Sequence, residues 1–340
     1  MLFPHVASGA QTKRIRIGQI GTKHAHASGK ISAIRKLNDD FEIVGIVEPD
    51  EARRAAVGSQ DAYRDLPFLT LEQLLNSDAL SAVAVETTVD QLVPTAMLCL
   101  QAGKHIHLDK PAGQSMSECR KMHEEADRRG LTIQMGYMLR YNPAFVMLFD
   151  FVKQGWLGPI TELNAMMGKF ADPSTRRQLA RFSGGGMFEL ACHLIDAMVT
   201  VLGKPQSVTA FNRQAFANRD GFVDNQLAVF EYPDMVANIR CNHVDPFGFA
   251  RRSFEVVGEA GLFRIEPLEP PSVRIGLDRA RGSFKKGLQD VVVQPAEGRY
   301  DDEFRDLAKV IRGEKELRWD SQHDLTVHEA VLRGSGMPVE

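Results

Sequence analysis

The chain has 340 residues, with 44% hydrophobic and 25% charged side chains and a formal net charge of −3. That length allows two domains with cores of their own, and the balanced charge excludes nucleic acid or an anionic membrane as the main partner. No run of about 18 apolar residues occurs, so no membrane-spanning helix is expected.

Residues 1–13 lack a basic stretch followed by a long apolar one, so they are expected to form a leader before the first strand, not a signal peptide. Residues 14–20, RIRIGQI, form the first predicted strand, and a helix is expected over 24–37. FEIVGIVEPD supplies a second strand closed by Pro49, SAVAVETT a third, and KHIHLDKP a fourth. Helices over 90–101 and 117–129 separate the later strands, and LTIQMGY completes the series. Strands alternating with helices of this length predict parallel βαβ units, a Rossmann arrangement.

The pattern changes near Gly136. A helix over 143–153 leads into a strand, ITELNAMMGKF, then a glycine turn, SGGGM, and a helix over 188–202. Between residues 206 and 277 six strand-like segments follow one another on short turns, which implies antiparallel pairing. Two helices, over 300–312 and 321–333, end the chain. The expected organisation is a Rossmann domain over 1–136 and an α+β domain with a large, open, mostly antiparallel sheet over 137–340. The four cysteines (Cys99, Cys119, Cys192, Cys241) are scattered without a CxxC pair, the pattern of reduced thiols in a cytoplasm.

At the end of the first strand, Gly18 and Gly21 permit a tight turn that brings backbone close to a pyrophosphate at a helix N-terminus. The next two small positions of a full fingerprint hold Lys23 and His26. Lys23 either lays a point charge over the pyrophosphate or extends into solvent. Glu48, ending the second strand, is expected to accept hydrogen bonds from the adenosine ribose and to repel a 2′-phosphate, favouring NAD over NADP. Lys110 follows the fourth strand at the sheet's carboxyl edge, where ligands bind.

Several segments, taken in order, resemble the Gfo/Idh/MocA oxidoreductases: IGQIGT, AGKHIHLDKP, GYMLRYNPAF, GWLGPI and GGGMFELACHLIDAMVTVLGKP. The resemblance implies NAD(P)-dependent chemistry on sugars, cyclitols and related polyols. It also implies a second-domain sheet that often joins subunits, so a homo-oligomer (dimer or tetramer) is expected. Lys110 and Pro111 match the family's Glu-Lys-Pro motif with Asp109 in place of its glutamate. His193 matches the usual acid/base histidine, and Glu189 stands where aspartate is common. Thr87-Thr88 and Leu92 depart from the family's usual Thr-Pro and histidine.

Glu189, His193 and Asp196 fall at i, i+4 and i+7 and are expected to share one helix face. Lys110, His193 and Glu189 are the expected catalytic residues of hydride transfer between nicotinamide and a hydroxyl-bearing carbon. Cofactor contacts are expected from Gly18, Gly21, Thr22, Lys23, His24, Glu48, Thr87, Asp109 and Lys110. Substrate contacts are expected from Arg140, Tyr141, Asn142, Arg181, Glu189 and His193, with Arg176, Arg177 and Arg181 able to hold an acidic group. A non-catalytic NAD- or sugar-binding regulator on the same scaffold is the alternative. His24 with His26, and His105 with His107, suggest metal ligands, but no acidic or cysteine cluster completes either pair at a recognised spacing, so no metal is expected. Cys192 is expected to be a buried thiol.

Overall fold

The computed structural model describes residues 13–215 and 220–340. The expected leader lies, except for Lys13, outside these residues. Five strands form the first sheet: β1 (Ile15–Ile20), β2 (Phe41–Val47), β3 (Ala82–Val85), β4 (His105–Leu108) and β5 (Ile133–Met135). All pair in parallel, in the order β2-β1-β3-β4-β5. The order reverses at β1, so a crevice opens between the carboxyl ends of β1 and β3. Their short apolar runs are buried on both faces, as a parallel sheet between helices requires.

The connecting helices are α1 (Ala27–Lys36), α2 (Glu51–Gly58), α3 (Leu71–Leu75), α4 (Val89–Gln101) and α5 (Met116–Arg129). Sequence periodicity misses α2 and α3, which are only eight and five residues long. Their caps are nonetheless present: the Asp50 side chain accepts from Arg53 N, and Thr70 and Gln73 form a capping box.

The rest of the chain begins with a 3₁₀ turn (Met138–Tyr141) and α6 (Pro143–Lys153), and continues through β6 (Ile160–Gly168), α7 (Pro173–Leu179), α8 (Gly185–Glu189) and α9 (Cys192–Leu202). Strands β7 (Ser207–Arg213), β8 (Asn225–Glu231), β9 (Val236–Asn242), β10 (Ser253–Gly258), β11 (Gly261–Leu268), β12 (Pro271–Leu277) and β13 (Gly287–Val291) follow, then α10 (Asp301–Ile311) and α11 (Ser321–Gly334). The second sheet has eight strands, ordered β13-β12-β11-β10-β6-β9-β8-β7, and only β6 and β9 run parallel. This is the α/β Rossmann unit followed by a large, mostly antiparallel sheet that the sequence predicts. Alternate residues such as Phe230, Ile239, Phe254 and Phe263 are buried beneath the helices. The opposite face carries Phe211, Leu227, Val229 and Asn238, which are exposed or half-buried.

Helix α10 returns to the first sheet. Phe304 stacks on His107 of β4, and Lys36 of α1 pairs with Asp301 at 2.5 Å. The helix predicted over 188–202 is broken: α8 ends at Glu189 and α9 starts at Cys192. Gly184 and Gly185, both at positive φ, start α8 sharply against the Val223 carbonyl and Gln226 of β8.

Candidate active site

Gly21 leaves β1 with φ +88°, and a Cβ there would lie 2.8 Å from the Glu86 carbonyl oxygen. Only glycine fits that close approach. Gly18 has a different job, which corrects its expected place in the phosphate turn. It lies within β1, and Leu74 of α3 fills the space its side chain would take, with Cδ1 2.6 Å from an added Cβ.

Past Gly21, the Thr22 backbone N–H and hydroxyl both donate to Glu48 Oε2, at 3.1 and 2.6 Å. Asp50 N–H donates to Glu48 Oε1 at 3.1 Å. Arg53 donates to Thr22 Oγ1 at 3.1 Å and to its carbonyl at 2.5 Å. Glu48 is thus fixed at the mouth of a cleft of about 540 Å³. Leu69, Leu71 and Leu98 supply its apolar wall, and Gly21, Lys23, Arg54, Thr87 and Thr88 its polar rim. A carboxylate keeps acceptor sites beyond those used here, so the cleft suits an adenosine with its ribose hydroxyls at Glu48. Lys23 reaches outward to Asp50 at 3.4 Å.

Deeper in, charge is buried. Lys30 of α1 is 0% exposed and lies 3.2 Å from Glu86, 3.3 Å from Asp109 and 3.9 Å from Glu303. Burial opposes its charge, but these three carboxylates raise its pKa. Burial likewise opposes ionisation of Asp109, yet His24, Lys30 and His26 hold it well below the carboxylate range. Glu86 is pushed well up by burial and by Asp109, which Lys30 offsets only in part. Glu303 also pairs with His107.

Asp109 is fully buried, and it accepts from Lys110 N–H at 2.7 Å and pairs with His24 Nδ1 at 2.5 Å, so both side chains are engaged with each other. It also joins His24 and His26, whose donor atoms and its own all lie within 4.8 Å. The two histidines sit in the turn before α1, with ring centroids 4.8 Å apart. A partner 83 residues away, just past the end of β4, is invisible to sequence spacing.

Lys110 is 1% exposed; its ammonium donates to the Glu189 carbonyl at 2.7 Å and lies 3.8 Å from the Glu189 carboxylate. Burial is the largest single influence and would lower the Lys110 pKa, but Glu189, Cys192 and Asp109 together outweigh it and the pKa rises. Reciprocally, burial would raise Glu189, but Lys110, Lys169 and His243 bring it to about 2. His193 is 5% exposed, packs edge-on to Tyr137, and has an Nδ1 without a hydrogen-bond partner. Burial, then the Lys110 charge, drives its pKa well below the ordinary value. The crevice therefore sets a lysine cation, a carboxylate and a neutral imidazole together.

Asp196 does not share this face. It binds Arg140 through both oxygens, at 2.7–3.1 Å, and Arg140 also reaches Asp324 at 2.6 Å. That corrects the substrate role expected for Arg140, whose guanidinium is buried and committed to tying α9 to α11. The Tyr141 hydroxyl donates to Asp306 at 3.0 Å, and Asn142 caps α6 through Ala144 N, so both neighbours are also engaged away from the crevice. Arg176 is buried against Asp220 and Asp224, while Arg177 and Arg181 face solvent. All four cysteines are buried free thiols, and burial pushes Cys192 up to about 12.

Residues 15–137 match an oxidoreductase family described by an NAD-binding Rossmann fold, and residues 145–264 match the Gfo/Idh/MocA C-terminal domain. The chain belongs to the Gfo/Idh/MocA oxidoreductases. Family membership assigns the NAD-binding Rossmann fold to residues 15–137. Among relatives of this Gfo/Idh/MocA protein, trans-1,2-dihydrobenzene-1,2-diol dehydrogenase of Bos taurus is 27% identical over 217 residues. That match covers 60% of this chain and 64% of the bovine enzyme, less than two thirds of its length. In structure, the WlbA dehydrogenase from Bordetella pertussis, solved with NADH and UDP-GlcNAcA, superposes with a TM-score of 0.76 at 19% identity over 96% of this chain and all of that one. A 3-ketoreductase from Actinomadura kijaniata, solved with TDP-benzene and NADP, gives 0.75 at 20% identity over 95% and 98% of the two chains. These likenesses show the fold. Among the described residues no helix is long and apolar enough to cross a membrane.

Proposed function

We propose that this oxidoreductase is an NAD-dependent dehydrogenase that oxidises, or in reverse forms, a hydroxyl-bearing carbon of a sugar, cyclitol or related polyol. The observation that carries the proposal is the crevice itself: a charged Lys110 beside ionised Glu189, with His193 held neutral. NAD, when bound, supplies the hydride acceptor. Gly21, Thr22, Lys23, Glu48 and Thr87 are the residues that would hold it, and the glycine cradle and pinned carboxylate fit that group.

The neutral imidazole of His193 can take a hydroxyl proton at neutral pH, because its depressed pKa leaves it unprotonated there. An ammonium has three donors, and Glu189 engages Lys110 from one side. The remaining donor capacity can bind the substrate oxygen and stabilise its developing charge. Glu189, ionised and with Oε2 free of hydrogen bonds, orients a second hydroxyl. Glu48 favours NAD over NADP by repelling a 2′-phosphate. Self-association through the uncovered face of the large sheet, and a cytoplasmic location, belong to the same proposal.

The test is NAD reduction across a polyol panel with wild type and Lys110→Ala. We expect kcat/KM on the accepted substrate to fall by roughly a thousandfold in the variant. Unchanged turnover in Lys110→Ala would refute the assignment. NADH binding without turnover of any polyol would favour the regulatory alternative.

A further inference from the structure

Parallel pairing sets Gly168 of β6 opposite Asn242 of β9, and antiparallel pairing sets Met166 of β6 opposite Ser253 of β10. Lys169, His243 and Arg252 therefore emerge side by side at one end of three neighbouring strands. That end lies under the α8 corner carrying Glu189. The His243 ring fills the space beside Gly186, and Lys169 and His243 both act on the Glu189 charge.

Positive charge there exceeds its partners. Lys169 is half-buried and makes no ion pair among the described residues. Arg252 is 5% exposed; its Nε donates to the Gly168 carbonyl at 3.0 Å, and its guanidinium stacks 4.3 Å over Phe249. Its nearest carboxylate, Glu269, is 3.8 Å away and is shared with Arg299, which holds it at 3.0 Å. Of the other acids nearby, Asp245 binds Arg251, Asp224 binds Arg176, and Glu189 faces Lys110 as well as this cluster. Burial and the Arg299 charge lower the Arg252 pKa even though Glu269 opposes them, and burial with Lys169 and Arg252 brings His243 to about 4. His243 Nε2 is buried with no hydrogen-bond partner. A buried guanidinium so incompletely compensated, beside an unpaired lysine and an orphan imidazole nitrogen, is suited to an oxyanion.

We propose that Lys169, Arg252 and His243 form an oxyanion subsite next to the Lys110–Glu189 pair, so that the substrate is a polyol bearing a carboxylate or a phosphate. The idea rests on the dehydrogenase reading above for the word substrate, but the subsite itself does not. The acid-holding role expected of Arg176, Arg177 and Arg181 thus passes to residues that no sequence motif marks.

Inorganic phosphate is the first probe, because it needs no sugar stereochemistry. Titrated by calorimetry into NADH-saturated protein, whose cofactor occupies its own phosphate positions, it binds wild type and binds Lys169→Gln about tenfold or more weakly. Lys169→Gln breaks no ion pair, and an unchanged circular dichroism spectrum shows that it folds. Turnover of glucose, glucuronate and glucose 6-phosphate then separates the two anion sources. An anionic member is preferred over glucose by about tenfold or more, and Lys169→Gln shrinks that preference through KM. Equal phosphate affinity in wild type and variant, or no phosphate binding at all, overturns the subsite. Lys169-dependent phosphate binding with no turnover of any polyol would sustain the subsite and sink the dehydrogenase reading instead.

Discussion

The Glu48 cleft and the Lys110 crevice open along the same carboxyl edge of the parallel sheet, yet they hold charge in different ways. In the cleft, leucines form the wall and the one central acid, Glu48, is tethered by neutral donors from Thr22 and Asp50. In the crevice, Lys30, Asp109 and Lys110 are at most 1% exposed, and each charge is held by another. Opposed buried charges shift proton affinities, and proton transfer needs that. The cleft is therefore built for position and the crevice for chemistry.

The contrast can be broken at either end. The largest effect is expected at Gly21, where alanine meets both a left-handed φ and the Glu86 backbone. Gly21→Ala should weaken NADH binding by about a hundredfold in a fluorescence titration of folded protein. Unchanged affinity would mean that the cofactor avoids this turn. A smaller change is expected from Glu48→Gln, which keeps the hydrogen bonds to Thr22 oxygen-side but removes the charge. The ratio of NAD to NADP affinity should move toward NADP by about tenfold, whereas a fixed ratio would take Glu48 out of cofactor choice.

Buried imidazoles sharpen the comparison through pH. Burial is the main cause that lowers His26, His243 and His328 to about 4 each, from an ordinary 6.5. Between those values the unfolded chain binds more protons than the folded one. Stability is therefore complete above about pH 6.5 and is lost as the pH falls toward 4. The thermal midpoint should drop by roughly 5 °C or more across that window. His328→Leu, at a site away from the crevice, should make the drop shallower; an equal slope would assign acid sensitivity to other groups.

The cleft was far more legible in the sequence than the crevice. Gly21 and Glu48 are local signals, one a turn that demands glycine and the other an acid at a strand end. Lys110 was also readable, since a strand end before proline points to the ligand edge. The crevice depends on partners distant along the chain. Glu303 reaches His107 and Lys30 from α10, and Asp109 gathers two histidines from the β1–α1 turn. Periodicity also misled where helix continuity failed: the break after Glu189 separates it from Asp196, which turns to Arg140. Arginine clusters gave a similar lesson. Arg140 and Arg176 looked available for a substrate, but folding buries each against two carboxylates.

The division of labour between the two ends is tested most directly by a crystal structure of the protein grown with NADH. The account predicts the adenosine ribose within hydrogen-bond distance of Glu48 and the nicotinamide ring at the crevice formed by Lys110, Glu189 and His193. An adenosine outside the Leu69–Leu98 cleft, or a nicotinamide turned away from Lys110, would contradict it.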